Sequence, residues 1–254
     1  MKTKDDYILN MFRIPYSHRI QNQNKTRPVV FLQHGLLCSS DSFLASGADN
    51  ALAYNLADAG YDVWLGNARG NTYSRQHKHI TPESSEFWNF SWHEIGVYDL
   101  ASMLDYVLVE ANSTQLHFVA HSQGTTTFLV LMSTLPQYNE KVKTVHLLAP
   151  VAFLRSHASV LSKVGRIFLG YPSFLCFLLQ AWELLPITHM QRMLCEYVCS
   201  EESMLKFMCS GLLDFIGGWG TQHLNHVSCC HYSFFKKIKN SKNSKNKIWK
   251  FLNF

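Results

Sequence analysis

The chain lacks long uninterrupted apolar runs and closely spaced cysteine pairs. No stretch reaches the about 18 consecutive apolar residues that a membrane-spanning helix needs. The nearest, residues 167–182, is interrupted by Gly170, Pro172, Ser173 and Gln180. The seven Cys form no CxxC pair and no Cys/His spacing typical of zinc. We therefore expect no transmembrane span, no metal and no organic cofactor, and we interpret 167–182 as a buried or lid-like segment that is a candidate for contacting lipid.

An apolar segment of the kind found in signal peptides is also missing from the N-terminus. The chain begins Met1-Lys-Thr-Lys-Asp-Asp, so we expect no signal peptide in the printed sequence. Three N-glycosylation sequons, at Asn24, Asn89 and Asn112, nevertheless suit a secreted protein. The missing signal-peptide segment argues against secretion, whereas the sequons argue for it.

Acidic residues are absent from 236–254, which hold seven Lys. Without that segment, 16 Lys and Arg face 18 Asp and Glu, so the net charge of +5 belongs to the C-terminal end. This distribution argues against a nucleic-acid-binding domain. Lys, Asn, Ile and Phe, all encoded by A-T-rich codons, make up 15 of these 19 residues. We interpret 227–254 as an aberrant, disordered tail translated from non-coding sequence.

The composition is that of a globular protein, and predicted strands and helices alternate along the chain. The 254 residues are 47% hydrophobic and 16% charged, enough for one sizeable domain with a core. Apolar, β-branched runs predict strands, and apolar residues at helical spacing predict helices between some of these strands. The predicted strands are 7–14, 29–33, 62–65, 116–120 and 144–148, and the predicted helices are 48–59 and 100–109. This alternation predicts an α/β fold with a mostly parallel sheet and helices on both faces.

The most informative segment runs from Leu116 to Thr127. An apolar run ends in the small-x-Ser-x-Gly sequence Ala120-His-Ser-Gln-Gly124, and a run that can form a helix follows. That layout is typical of a nucleophile elbow, which holds a serine hydroxyl above the edge of a sheet. Serine is a weak nucleophile alone, so ester chemistry at Ser122 needs a base and an oxyanion site.

Motifs in the same order along the chain resemble the acid lipase family of α/β-hydrolases, the gastric and lysosomal acid lipases and their insect relatives. The matching motifs are Tyr7-Ile-Leu9, Arg13-Ile-Pro-Tyr16, Leu32-Gln-His-Gly-Leu-Leu37, Leu56-Ala-Asp-Ala-Gly-Tyr-Asp-Val-Trp-Leu-Gly-Asn67, Arg69-Gly-Asn-Thr72, Glu86-Phe-Trp88, Tyr98-Asp-Leu100, His121-Ser-Gln-Gly-Thr125 and Leu148-Ala-Pro-Val151. The resemblance covers about residues 7–225. It implies an α/β-hydrolase core at 1–155, incomplete at its C-terminus, a helical lid or cap at 156–226, and the aberrant tail at 227–254.

The resemblance implies that Ser122 is the nucleophile of a serine carboxylic-ester hydrolase. It assigns the oxyanion hole to the backbone N–H groups of Leu36 and Gln123, with Gly35 giving the loop its backbone freedom. Leu36 and Leu37 would form a wall beside an acyl chain, although ordinary loop packing explains Leu37 equally well. The implied partners are neutral lipid esters, such as acylglycerols or sterol esters, and a lipid–water interface. The implied location is secreted or lysosomal.

Three nearby titratable residues are poor candidates for the triad acid or base. His121 is the immediate neighbour of Ser122, so its side chain leaves the turn in another direction. We expect His34 to bond backbone groups and hold the oxyanion loop. Asp99 precedes the nucleophile, whereas the fold's order is Ser, then acid, then His. We expect Asp99 to bond backbone groups instead.

The residues after Ser122 offer no convincing acid or base. Asp214 is the single Asp there, and it falls in the predicted cap. The later histidines, none of which follows a recognisable strand, are His146, His157, His189, His223, His226 and His231. We therefore regard the triad Asp and His as absent from this chain and expect little lipase activity. We interpret the loss of resemblance after about Asn225 as a gene model that continues into an intron.

Two alternatives and one pairing stay open. A non-catalytic α/β module could bind lipid or a protein partner through 167–182, and a nucleic-acid-binding protein has only the basic tail in its favour. Cys199 and Cys209 form either a disulfide in the secretory pathway, as the resemblance suggests, or two buried thiols.

Overall fold

The structure is a computed structural model that describes residues 1–36 and 38–152. These residues lie in the first of two compact units, Met1–Leu154. The predicted cap at 156–226, the tail at 227–254, the apolar segment 167–182 and the Cys199–Cys209 pair all lie outside the described residues, so those assignments stay predictions.

Strands and helices alternate along the described chain, as the apolar pattern predicts. The strands are β1 (Tyr7–Ile8), β2 (Met11–Ile14), β3 (Val29–Gln33), β4 (Asp62–Gly66), β5 (Gln76–His77), β6 (Leu116–His121) and β7 (Val142–Leu148). The α-helices are α1 (Leu52–Asp58), α2 (Trp92–Glu94), α3 (Ala101–Glu110) and α4 (Gln123–Thr134), and 3₁₀ turns occur at Ser40–Phe43, Ser85–Trp88 and Pro136–Lys141.

Five of these strands form a mostly parallel sheet in the order β2-β4-β3-β6-β7. The strand β2 pairs with β4 antiparallel, and the other three pairings are parallel. Because β3 and β6 are central and parallel, the loops after Gln33 and His121 leave the sheet at the same edge. The topology confirms the predicted fold class.

The two faces of the sheet bury different apolar side chains, since neighbouring residues in a strand point to opposite faces. Phe31 and Phe118 lie in a cluster with residues of α3 and α4. Val30 and Leu32 lie in a second cluster with residues of α1. All four side chains are at most 1% exposed, so helices cover the sheet on both faces as predicted.

A continuous helical run contains a π-helical turn. A capping box between Ser91 and Glu94 begins α2, and a π-helical turn at Ile95–Leu100 joins it to α3. In that turn Gly96 lies so close to α4 that an added Cβ would stand 2.7 Å from the Thr127 carbonyl oxygen. The sequence analysis predicted the helix only from residue 100, so it missed this earlier part.

The predicted single strand at 7–14 is two strands in the structure. The break falls at Asn10, whose N–H donates to Ser74 Oγ (3.1 Å) and whose side-chain amide donates to the Tyr73 carbonyl (2.7 Å). Because these bonds turn the backbone away, β1 pairs with β5 in a small separate sheet while β2 joins the main one.

Within the described residues β7 is the outer strand of the main sheet. Val145 and Leu148 are 38% and 43% exposed. No helix in the described part of the chain is long and apolar enough to span a bilayer.

Candidate active site

Ser122 is the single residue between the strand β6 and the helix α4. It follows the last residue of β6 directly, and α4 begins at Gln123. Its backbone angles are φ 51° and ψ −121°, a conformation that residues other than glycine rarely adopt. Such angles cost about 1–3 kcal/mol and persist only where the surroundings enforce them. The turn therefore has the sharp geometry of a nucleophile elbow.

Two glycines let the surrounding backbone come close to this turn. A Cβ added to Gly124 would lie 2.7 Å from the His34 carbonyl oxygen and 2.8 Å from that of Gln33. A Cβ added to Gly35 would lie 3.0 Å from the Ser122 Cβ. All three distances are shorter than ordinary contacts, so the start of α4 and the loop after β3 meet only because side chains are absent there.

Backbone groups of Ser122 are held on both sides. Its N–H donates to the Leu148 carbonyl (3.0 Å), and its carbonyl accepts from the N–H (2.9 Å) and the hydroxyl (2.6 Å) of Thr125. That hydroxyl in turn accepts from the Val151 N–H (2.9 Å). Since the Ser122 hydroxyl has no hydrogen-bond partner among residues 1–36 and 38–152, it stays available for chemistry.

The two N–H groups predicted to form an oxyanion hole have no acceptor in the described part of the chain. Gln123 is the first residue of α4, and the first N–H groups of a helix lack intrahelical partners. Leu36 lies in the loop beside Gly35, and its side chain is 58% exposed. Leu37 lies outside the described residues. The assignment of Leu36 and Gln123 as oxyanion donors stays a prediction.

His34 bonds backbone groups on both sides of its ring, which confirms the expected bonding to backbone. Its Nδ1 lies 2.8 Å from the Gly35 carbonyl oxygen, and its Nε2 lies 3.1 Å from the Ala68 N–H and 3.1 Å from the Asn71 amide nitrogen. The ring is 6% exposed. Burial lowers the pKa of His34 to about 4, so the imidazole is neutral at physiological pH.

Asp99 is a buried partner of Arg69. One carboxylate oxygen accepts from the Arg69 backbone N–H (2.9 Å), and the other accepts from Nε (2.8 Å) and Nη2 (2.6 Å). The expected bond to backbone is confirmed, and the ion pair with Arg69 is an addition. Burial raises the pKa of Asp99 to about 6 while Arg69 opposes that shift, so the carboxylate is ionised at neutral pH.

A second carboxylate completes this charge cluster. Asp5 accepts from Nη1 (2.6 Å) and Nη2 (2.9 Å) of Arg69. The guanidinium also lies 3.9 Å from the centre of the Tyr7 ring. Burial alone lowers the pKa of Arg69, but its bonds to Asp5 and Asp99 raise that pKa above its ordinary value. Sequence reasoning missed Arg69 and Asp5, although Arg69 stands in one of the family motifs.

No histidine or carboxylate in the described part of the chain is hydrogen-bonded to the Ser122 hydroxyl, and the later candidates are not described. His121 ends β6, and its Nδ1 faces Gly35, 3.1 Å from a Cβ built there; burial lowers its pKa. His146 lies in the middle of β7 and is exposed. Asp214, His157, His189, His223, His226 and His231 all lie outside the described residues.

Comparison with known proteins gives two family matches and several close relatives. The "Partial alpha/beta-hydrolase lipase region" model matches residues 1–47, and the "alpha/beta hydrolase fold" model matches residues 28–181. The chain is 44% identical to Lipase 3 of Drosophila melanogaster over 224 residues, which cover 88% of this chain and 57% of that protein.

Two human proteins match over nearly the same region. Gastric triacylglycerol lipase of Homo sapiens is 41% identical over 223 residues, covering 88% of this chain and 55% of that protein. Lysosomal acid lipase/cholesteryl ester hydrolase of Homo sapiens is 37% identical over 226 residues, covering 89% of this chain and 55% of that protein. The chain thus spans little more than half the length of the relatives it matches.

Proposed function

This chain belongs to the α/β-hydrolase fold family, in its acid lipase group, and from that membership we propose that Ser122 is the nucleophile of a lipid-ester hydrolase. The observation that carries the proposal is the backbone of Ser122, forced to φ 51° between β6 and α4 with its hydroxyl unbonded within the described residues. Strain of this kind is retained where a side chain has to be presented at a fixed point. A helix-capping role for Ser122 is disfavoured, because its side chain makes no capping bond.

The proposed reaction has two steps. As the Ser122 O–H proton passes to water, Oγ attacks the ester carbonyl carbon, the carbonyl oxygen becomes negative, and the N–H groups of Leu36 and Gln123 bind that oxyanion. The bond to the alcohol oxygen then breaks, and the alcohol oxygen takes a proton from water as it leaves. A second water attacks the acyl carbon, the bond to Oγ breaks, and a proton returns to Oγ, which releases the carboxylic acid and restores Ser122.

For the substrate we propose neutral lipid esters presented at a lipid–water interface. Two of the matching relatives are named for triacylglycerol and cholesteryl ester. Leu36 supports the same class, because an exposed apolar side chain beside the nucleophile suits an acyl chain.

Turnover by the 254-residue chain alone is proposed to be low. Rapid attack by Ser122 needs an imidazole within hydrogen-bond reach of its hydroxyl, oriented by a carboxylate. Among the described residues His34 is bonded to backbone on both sides, and Asp99 is paired with Arg69. Neither can take these roles where it lies.

The test is reaction with a serine-directed fluorophosphonate, followed by hydrolysis of a short-chain nitrophenyl ester. Because a fluorophosphonate is far more electrophilic than a carboxylic ester, we expect slow labelling at Ser122 even without a positioned base, and none in Ser122→Ala. Hydrolysis of the nitrophenyl ester should be barely faster than in Ser122→Ala. A folded chain whose Ser122 does not react above a heat-denatured control would refute the nucleophile. If that chain still bound triacylglycerol emulsions, the alternative of a non-catalytic lipid-binding module would be favoured.

For location we propose the secretory pathway, on the strength of the relatives' names and the three sequons. Asn24, Asn89 and Asn112 are all exposed and lie outside helices and strands, where an oligosaccharide is accommodated without disturbing the fold. Expression in insect cells behind an added secretion signal should give a mass that falls on treatment with an N-glycosidase, and the triple Asn→Gln variant should not show this fall. A wild-type mass that is unchanged by the enzyme would show that the sequons are not used and would remove their support for the secretory pathway.

A further inference from the structure

We propose that His34 is a positioning residue that sets the direction of the Leu36 N–H toward Ser122 by binding the carbonyl of the same peptide unit. The proposal rests on the proposed function at Ser122 and names how one of its oxyanion donors is oriented. His34 touches no substrate in this scheme and acts through the Gly35–Leu36 peptide.

The direction of the Leu36 N–H follows from the geometry of one peptide unit. The carbonyl of Gly35 and the N–H of Leu36 belong to the same planar group, and no peptide in the described part of the chain is cis. In a trans peptide the C=O and N–H point in opposite directions. The His34 Nδ1–H holds the Gly35 oxygen at 2.8 Å, inside the protein. The Leu36 N–H must therefore point away from His34, out of the loop.

The same peptide lies against the nucleophile. An added Cβ on Gly35 would stand 3.0 Å from the Ser122 Cβ, so Gly35, which supplies the carbonyl of this peptide unit, lies directly against the elbow. The Leu36 N–H has no acceptor among residues 1–36 and 38–152, as an oxyanion donor requires in the free protein. Rotation of this one peptide plane would turn the carbonyl oxygen, instead of the N–H, toward the site, and a carbonyl repels a developing oxyanion.

The far side of the ring fixes which nitrogen carries the proton. Nε2 faces two donors, the Ala68 N–H and the Asn71 side-chain amide, each at 3.1 Å, so it must be the unprotonated nitrogen. The proton is then on Nδ1, where it can be donated to Gly35. Ala68 is itself anchored, because the next residue, Arg69, donates its N–H to the buried Asp99.

A second donor limits how large the effect can be. The Cys38 N–H also reaches the Gly35 oxygen, at the longer distance of 3.3 Å. Losing the imidazole should therefore loosen the peptide rather than reverse it completely. We expect a loss comparable to removal of one oxyanion donor at its lower end, about 100-fold in the rate of acyl-type attack.

The experiment begins with the wild-type 254-residue chain labelled with ¹⁵N. Long-range correlation spectra should show the His34 proton on Nδ1 and a bare Nε2 at neutral pH. The Leu36 amide should exchange with water faster than amides of β3. A proton found on Nε2, or a doubly protonated ring at neutral pH, would overturn the proposal without any variant.

Variants then separate positioning from packing. His34→Leu removes donor and acceptor, His34→Gln keeps one of each, and His93→Leu is the control at an exposed histidine of α2. We expect His34→Leu to shift the Leu36 amide resonance and slow Ser122 phosphonylation about 100-fold. His34→Gln should recover part of both, and His93→Leu should change neither. A folded His34→Leu with the wild-type Leu36 resonance and wild-type rate would overturn the proposal.

The proposed function of Ser122 and the positioning role of His34 can be refuted independently of each other. If wild-type Ser122 does not react with the phosphonate, the proposed function fails, while the tautomer and the Leu36 resonance still decide the role of His34. If Ser122 reacts but the His34 variants leave both readouts unchanged, the proposed function survives and the positioning role does not.

Discussion

Replacing His34 by Gln should make the free energy of unfolding fall much less steeply as the pH is lowered. Burial lowers the pKa of His34 from 6.5 to about 4, and its Nε2 is already occupied by two donors. The unfolded chain therefore takes up a proton at His34 before the folded chain does as the pH falls. The stabilisation is fully present above about pH 6.5 and is lost progressively as the pH falls through about 4.

The size of the effect follows from the gap between the two pKa values. About 2.5 pH units at about 1.4 kcal/mol per unit gives about 3 kcal/mol in the free energy of unfolding. A whole domain is stable by about 5–15 kcal/mol, so this one imidazole would account for a substantial part of the loss of stability in acid. The variant His34→Gln carries no titrating group at this position and should lack that component.

Urea unfolding of both proteins at several values between about pH 7 and pH 4 measures the difference directly. The wild-type free energy of unfolding should fall more steeply than that of His34→Gln, by about 3 kcal/mol over the range. His117 and His121 also have pKa values lowered by burial, but both titrate in each protein and cancel. Curves that stay parallel to within about 0.5 kcal/mol would refute the inference that His34 is buried and neutral.

Three further substitutions test other parts of the site. Asp99→Ala should lower the free energy of unfolding by about 3–5 kcal/mol, because it leaves the buried Arg69 charge short of a partner, whereas Asp49→Ala at the exposed pair with Arg19 should cost about 1 kcal/mol or less; urea unfolding compares them. Gly124→Ala should destabilise by about 1–3 kcal/mol despite the higher helix propensity of Ala, with slower fluorophosphonate labelling; a gain in melting temperature would contradict the contact argument. Ser122→Gly should abolish labelling and stabilise by about 1 kcal/mol, because glycine tolerates φ 51°; a calorimetric loss of stability would show that the turn is unstrained.

Local pattern was enough to predict the sheet strands that are buried on both faces. The apolar, β-branched run 29–33 is the observed β3 to the residue, since a fully buried strand needs no polar alternation and its ends are marked by Pro28 and His34-Gly35. The elbow was also predictable, because the strand, the serine and the helix are consecutive in sequence.

Contacts between distant residues were not predictable from spacing. Arg69 meets Asp5 and Asp99 across 64 and 30 residues, and nothing in the local sequence of any of the three marks the others. The break at Asn10 is similar, because its partners Tyr73 and Ser74 come from a distant loop. The early start of the helix was in principle readable, since Ser91 and Glu94 have the spacing of a capping box.

The π-helical turn at Ile95–Leu100 has a consequence for how this chain tolerates change in length. A π turn holds one residue more than an α turn, so it shifts the angular phase of everything before it by about 100° relative to α3. Deleting one residue there would keep the composition and the hydrophobicity of the helix but would rotate Gly96 away from α4 or Asp99 away from Arg69. Substitution is therefore best tolerated at the half-buried Val97 and Tyr98, whereas a deletion anywhere in the segment should be damaging, so variation in this run should keep its length constant.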